Sequence, residues 1–540
     1  MAIRTTSRAP TSRPRRTARV ARRLLRGLPP ARHTVGCERD LPVPAADGVT
    51  LLTDHYFPAE EGEFPTLLVR SPYGRAFPWA ALYGMAFAEQ GFHVVLQSCR
   101  GTGGSGGEFT PWRDEASDGH ATVAWLREQP WFSGAFGTVG ASYLGYTQWA
   151  LAQDPPPELR AMVIQMGVHD PYGFYYAGGA FNAESALISA SGMLHQGRGA
   201  LPFLRGALRL RRHLGRAVAA DPLIDAYVPA LGERVPFLED ALTRPDADDP
   251  HWRGADLGEV AARLTVPTCL IAGWDDVFLD QNLRQHARLR GSVPEWELVV
   301  GPWTHTSAFG EGLAEVFGHS LAWLRGHLCG EPPEVPRTPV RVHVGGADEW
   351  RGLPDWPPGS TERRWYVNAD GALGEEPDTS PPVSFRYDPA DPPPATGGPL
   401  LSGKAGRRDN TALEERADVL TFTTAPLAEP VTVMGRVAAE LRVAVPDGHG
   451  DVFARLCDVD ERGRSRNVCD GLLRLPSATP RDTPVAVTVP MSSTAYRFAA
   501  GHRVRLQISG GAHPRFARAP EPFELALHPP SALVLPQLAS

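Results

Sequence analysis

Residues 136–146 read Phe136-Gly-Thr-Val-Gly140-Ala-Ser142-Tyr-Leu-Gly145-Tyr, a β-prone run that breaks at Gly-x-Ser and passes at once into a helix-prone stretch, Gly145 to Gln153. That is the pattern of a nucleophile elbow. Serine is a poor nucleophile in water, so a fold that uses one sets it on a sharp strand-to-helix turn, with its hydroxyl exposed and helix-start N–H groups close by. Ser142 is the candidate nucleophile. The pattern departs from Gly-x-Ser-x-Gly in carrying Leu144, with the glycine one place later at 145. An ordinary turn with serine at the helix start reads the same way, so the decision falls to whether an acid and a base follow.

Both follow, each after a strand-like run. Val266-Pro-Thr-Cys-Leu-Ile-Ala-Gly273 leads into Trp274-Asp275-Asp276-Val277-Phe278, and Glu297-Leu-Val-Val-Gly301 leads into Pro302-Trp303-Thr304-His305. In an open α/β sheet the chemistry collects beyond the carboxyl ends of the strands. The chain order Ser142, then Asp275 or Asp276, then His305 is the α/β-hydrolase order. Taken singly, Asp276 reads as a helix cap and His305 as a loop histidine; their joint placement favours a triad.

With these motifs in hand, the chain resembles the cocaine-esterase and Xaa-Pro dipeptidyl-peptidase family of α/β-hydrolases. Gly140-Ala-Ser142-Tyr143-Leu-Gly145 is similar to the family's elbow, which accounts for the displaced glycine. Gly273-Trp274-Asp275-Asp276 and Gly301-Pro302-Trp303-Thr304-His305 resemble its acid and base motifs. Arg70-Ser71-Pro72-Tyr73, and Arg100-Gly101 through Ser105-Gly106-Gly107-Glu108-Phe109, resemble its upstream segments. Leu456-Cys457-Asp458, Cys469-Asp470-Gly471 and Gly501-His502-Arg503 resemble its C-terminal β-domain. The likeness runs over about residues 40–530. It implies Asp276 as the acid, with Asp275 second in line, and an oxyanion hole made by the Tyr73 phenol and the Tyr143 amide. It also suggests Phe278 as a pocket residue, and Trp149, one or two turns beyond the nucleophile, is a second candidate by position. Core packing is the stronger reading of Trp149.

A chain of 540 residues exceeds one hydrophobic core and calls for two or three domains. Strand-like runs at 48–57, 66–71 and 93–99, and a helical pattern at 115–128, give a mostly parallel α/β sheet over 38–166 and 264–332. Residues 167–263 read as an inserted helical cap. Its run Arg205, Arg209, Arg211, Arg212 and Arg216 reads as a solvated face. A helix near 313–329 closes the hydrolase domain. From 335 to 540, short β-like runs between Pro, Gly and Asp, among them 339–344, indicate an all-β sandwich or jelly roll.

Ten arginines precede the first acid, Glu38; the net charge is −7, so setting them aside leaves about −17. Residues 1–37 are expected to be a basic, disordered extension: Gly27-Leu28-Pro29-Pro30 ends the only apolar run that could serve a signal peptide. No nucleic-acid partner is expected. No apolar stretch reaches the length of a membrane span. Six cysteines without a Cys-x-x-Cys pair, and no His-Glu-x-x-His or phosphate loop, indicate neither metal nor nucleotide cofactor. They fit a reducing cytoplasm, and the oligomeric state, homo-oligomer included, stays open.

The functional expectation is a serine hydrolase cleaving carboxylic ester bonds, with amide bonds as an extension, through a Ser-His-Asp triad and an acyl-enzyme. A Xaa-Pro dipeptidyl-peptidase is the first alternative; such peptidases carry an additional N-terminal helical domain for which some 40 residues leave no room. An α-amino-acid ester hydrolase or acylase is the second. A binding scaffold with an inactive hydrolase fold, whose β-domain recognises carbohydrate or another partner, is the non-enzymatic alternative, and a retained triad argues against it.

Overall fold

Ten strands hydrogen-bond into one sheet in the computed structural model, which describes residues 25–539 apart from Gly199, 333–336, Asp378, 477–478 and Asp482. In chain order they are β1 (Val35–Pro44), β2 (Thr50–Pro58), β3 (Thr66–Ser71), β4 (His93–Ser98), β5 (Phe136–Ala141) and β6 (Leu159–Gln165). A two-stranded ribbon in the cap, β7 (Tyr176–Ala177) and β8 (Ala180–Phe181), intervenes before β9 (Thr268–Asp275), β10 (Trp296–Thr304), β11 (Val340–Val344) and β12 (Glu349–Leu353). The spatial order is β1-β2-β4-β3-β5-β6-β9-β10-β11-β12. From β4 to β11 neighbours run parallel, with antiparallel pairs at both edges. Every residue of β3, β4 and β5 is buried, because parallel strands are covered on both faces and read as continuous apolar runs.

The main covering helices are α1 (Glu115–Arg127), α2 (Tyr143–Leu151), α3 (Ala183–His195), α4 (Ala200–Val218), α5 (Leu279–Leu289) and α6 (Leu313–Cys329). The cap contains α3, α4, the ribbon and five shorter helices between 171 and 263. All five arginines of the basic run on α4 are exposed.

Two expected boundaries move. The arginines from 4 to 23 lie outside the described residues, but the extension does not reach 37. Leu25 is buried with the α6 side of the core, and the Arg32 and His33 amides donate to the Glu89 carbonyl. A β-carbon on Gly27, whose φ is +97°, would come within 2.9 Å of Ala314, so the segment lies on α6. The second correction concerns 335. The run 339–344 forms β11, which pairs parallel with β10, and β12 continues the same sheet. Its alternation fits either sheet, and only the pairing partner decides.

Beyond β12 the chain is all-β. One sheet is ordered β14-β13-β22-β17-β20 with a further strand on β22, and the other β16-β21-β18-β19, using β13 (Thr361–Val367), β14 (Leu373–Gly374), β15 (Val383–Tyr387), β16 (Val419–Thr423), β17 (Val431–Ala444), β18 (Gly450–Val459), β19 (Ser465–Leu475), β20 (Val485–Phe498), β21 (Arg503–Ser509) and β22 (Phe523–Gln537). Residues of both sheets, such as Val433, Leu441, Leu456 and Leu506, share one core. The Cys469-Asp470-Gly471 motif is structural: Asp470 is buried between Arg455 at 2.8 Å and Arg515 at 2.5 Å. A β-carbon on Gly471 would meet the Pro490 carbonyl at 2.1 Å.

Candidate active site

The elbow is built by close packing. Ser142 caps α2 at φ 59°, ψ −123°, a conformation that non-glycine residues hold only at a cost of about 1–3 kcal/mol. Both flanking glycines follow from it. A β-carbon on Gly140 would lie 2.5 Å from Leu144, and one on Gly145 would lie 2.7 Å from the Gly167 Cα. The displaced glycine is therefore the point where α2 touches the chain leaving β6. The Ser142 amide donates to the Gln165 carbonyl at 3.1 Å and its carbonyl accepts from Gly145 at 2.9 Å.

Two oxyanion candidates meet at this turn. The Tyr73 hydroxyl stands 3.4 Å from Ser142 Oγ, and the Tyr143 amide opens α2 directly after Ser142. Burial pushes the Tyr73 phenol above its ordinary pKa, with the Ser142 and Tyr143 hydrogen bonds pulling the other way, so it keeps its proton and can donate. Its ring stacks on Trp79 at 5.0 Å. The Tyr143 phenol points back into the protein, donating to Glu115 Oε1 at 3.0 Å and accepting from the Trp112 amide at 2.9 Å. Arg70 sits 3.1 Å from Glu115 Oε2 and donates to the Glu115 carbonyl, while Arg100 pairs with Asp118 at 2.6 Å. The arginines of both upstream motifs thus supply countercharge behind the elbow. Burial raises the Glu115 pKa and Arg70 opposes it.

The acid and base motifs are clasped together by Trp303. Its carbonyl occupies the space a β-carbon on Gly273 would need, at 2.3 Å, and its indole covers Gly301 at 2.5 Å. Between Gly301 and Thr304 the register with β9 slips, as bulges beside active sites do when they re-aim a side chain. Thr304 and Ser307 exchange amide-to-hydroxyl bonds of 2.9 and 3.1 Å across the turn that holds His305. His305 Nδ1 lies 2.6 Å from Asp276 Oδ2, and Asp276 Oδ1 accepts the Phe278 amide at 2.8 Å. Both carboxylate oxygens are therefore occupied, and the bond to Nδ1 leaves Nε2 as the nitrogen available for proton transfer.

Asp275 turns elsewhere. It lines a cavity of about 660 Å³ between the first sheet and the all-β domain, with His343, Arg407 and Tyr496. Burial pushes its carboxyl up to about 7, Arg407 drawing it down. Phe278 packs edge-on against His305 at 5.4 Å and beside Phe174 at 5.4 Å. Trp149 is a correction: at 1% exposure it belongs to the core cluster with Val123 and Phe136, on a helix that is buried throughout.

Sequence patterns did not point to Glu115, Trp79, Phe174 or Tyr175, whose phenol is raised by burial with Tyr73 contributing. Nothing in their spacing marks them. A second cavity, about 570 Å³, opens between the loop 101–110 and the cap and is lined by Phe109, Met193 and Phe237; these side chains pack with Tyr73 and Tyr143.

The X-Pro dipeptidyl-peptidase (S15 family) model matches residues 47–307, and the model of the X-Pro dipeptidyl-peptidase C-terminal non-catalytic domain matches 335–535. Cocaine esterase from Rhodococcus sp. (strain MB1 Bresler) is 33% identical over 525 residues, covering 88% of this chain and 91% of that one. Among solved structures, an α-amino acid ester hydrolase superposes with a TM-score of 0.80 at 22% identity, over 94% of this chain and 97% of its own. An aminopeptidase from a marine sediment Thaumarchaeota archaeon gives 0.79 at 21%, over 95% and 98%. These two show the shared fold.

Proposed function

Because the chain belongs to the family of X-Pro dipeptidyl-peptidases and cocaine esterase, and is a serine hydrolase acting on ester or peptide bonds, we propose that it cleaves carboxylic esters with Ser142 as nucleophile, His305 as base and Asp276 as the acid that orients it. The observation that carries this reading is the Tyr73 hydroxyl 3.4 Å from the Oγ of a strained Ser142, at the turn where the Tyr143 amide opens α2. Ser142 attacks the acyl carbonyl as His305 takes its proton. Charge gathers on the carbonyl oxygen, and the two donors stabilise it without reorganising. His305 then protonates the leaving alkoxide, and water repeats the sequence on the acyl-enzyme.

Ester preference is favoured over the peptidase reading because two of the three acids lining the 570 Å³ cavity are already matched: Glu233 pairs with Arg198 at 2.7 Å and Asp240 with Arg244 at 3.5 Å, while the third, Glu108, is exposed at its edge. A substrate ammonium would have to displace an arginine to reach either pair. Phe278 forms part of the acyl pocket in this reading. The six cysteines are all unpaired, which supports a reducing, cytoplasmic location. Among the described residues no helix is long and apolar enough to cross a membrane.

The test compares simple acyl and aryl esters with Xaa-Pro anilides and α-amino-acid esters, using Ser142→Ala as control. Serine-dependent turnover of simple esters with inert anilides is expected. Preferential cleavage of anilides or amino-acid esters would transfer the assignment to an amine-recognising enzyme.

A further inference from the structure

Among the described residues, five large apolar side chains are strongly exposed: Phe77, Leu201, Phe203, Leu204 and Leu208. Four of them lie on α4. The fifth is close by in the chain's path, because a β-carbon on Gly74 would lie 3.2 Å from the Gly197 Cα, three residues before Phe77 and four before Leu201.

The layout of α4 is that of an interfacial helix. Successive residues turn by about 100°, so Leu201, Leu204 and Leu208 fall within an arc of about 60°. Arg211 borders that arc on one side, and Arg212, Arg205 and Arg216 border it on the other. The helix holds no aspartate or glutamate. None of these four arginines has an ion-pair partner among the described residues; Arg209 is set apart, its guanidinium lying against Gly232. The opposite side of the helix is largely the packed one: Gly206 and Ala217 are buried, Gly206 against His195 of α3, although Phe203 on that side is exposed.

We propose that this outer face of α4 docks on an anionic lipid bilayer, its leucines entering the headgroup boundary and its arginines pairing with lipid phosphates. Charge decides the occupant. A second copy placed by a two-fold axis along this face would set arginine against arginine with no acid on either helix to offset them. The chain's first 24 residues carry eight arginines and no acid, so they have the same sign as the face and do not neutralise it. A bilayer with anionic headgroups supplies both the apolar layer and the countercharge. The rest of the chain is strongly acidic, so such a surface repels it and selects this basic face for approach.

The experiment is flotation of the full-length protein with vesicles of phosphatidylcholine containing one-third phosphatidylglycerol, against pure phosphatidylcholine vesicles, at low and high salt. Two variants accompany it: Leu201→Ser/Leu204→Ser/Leu208→Ser, and Arg205→Gln/Arg211→Gln/Arg212→Gln/Arg216→Gln, each checked for an unchanged circular-dichroism melt. Binding to the anionic vesicles alone, weakened by salt, is expected. Each arginine removed should weaken it roughly fivefold, and the leucine variant should lose it. Absence of vesicle binding, or binding that neither variant reduces, overturns the proposal. So does a dimer in sedimentation equilibrium that the leucine variant dissociates while vesicles stay empty, which would assign the face to a second copy.

Discussion

Replacing Tyr73 by phenylalanine removes a single atom from the proposed site. The ring should keep its place, because it is held by stacking on Trp79 at 5.0 Å and 19° and not by the hydroxyl. What is lost is the donor 3.4 Å from Ser142 Oγ, while the Tyr143 amide remains. Losing one oxyanion donor of a pair raises the barrier by about 2.7–4 kcal/mol, or about 10²–10³ in kcat. The donor acts on charge that develops in the transition state, so KM should change little. A transition-state analogue such as a boronate should lose affinity with kcat, and a substrate-like inhibitor should not. Folding stability should fall by no more than about 1 kcal/mol, the net value of one hydrogen bond. The assay is steady-state hydrolysis of an aryl ester with a burst measurement to isolate acylation. A loss in kcat of less than tenfold, or one expressed only in KM, would refute the role given to Tyr73. The raised pKa of the phenol adds a second check: wild-type activity should show no alkaline loss at the ordinary tyrosine pKa near 10.

The two adjacent aspartates should separate cleanly. Asp276→Asn offers an amide to His305 Nδ1 and favours the wrong tautomer, so kcat should drop by about 10⁴, whereas a loss under a hundredfold would move the acid elsewhere. Asp275→Asn should leave kcat nearly intact and change the pH dependence of stability. Its buried carboxyl holds its proton up to about 7 while the unfolded chain releases it near 4, so the native state loses stability as pH rises between these values. The melting-temperature advantage of the asparagine variant should grow from pH 4 to 7 and level off above; a flat difference contradicts the burial argument. Gly145→Ala gains helix propensity but drives a methyl to 2.7 Å from the Gly167 Cα. A cost of about 1–3 kcal/mol should outweigh the gain of about 1 kcal/mol, and an unchanged or higher melting temperature would show that the contact yields.

Alternation and local motifs carried much of this molecule. The mainly apolar runs Thr66–Ser71 and His93–Ser98 read as strands and are buried throughout, and the Gly-x-Ser break reads as a tight strand-to-helix turn. The proposed nucleophile, acid and base each follow a strand end in chain order, so the sequence alone leads one to expect them at one edge of the sheet. Residues whose position depends on a partner far along the chain were not. Val340–Val344 has the same pattern whether it pairs with β10 or with the all-β sheets, and its hydrogen-bond partner is a long-range choice. Leu25 to Thr34 looked like the end of a basic tail because the surface of α6 that receives it is some 290 residues away in the chain. Glu115 carries no mark of its service to Tyr143, and the outward leucines of α4 share the helical period of inward ones. Periodicity reports that a face is apolar; only the packing of the other elements settles whether that face is covered, because burial is a property of neighbours and not of the segment itself.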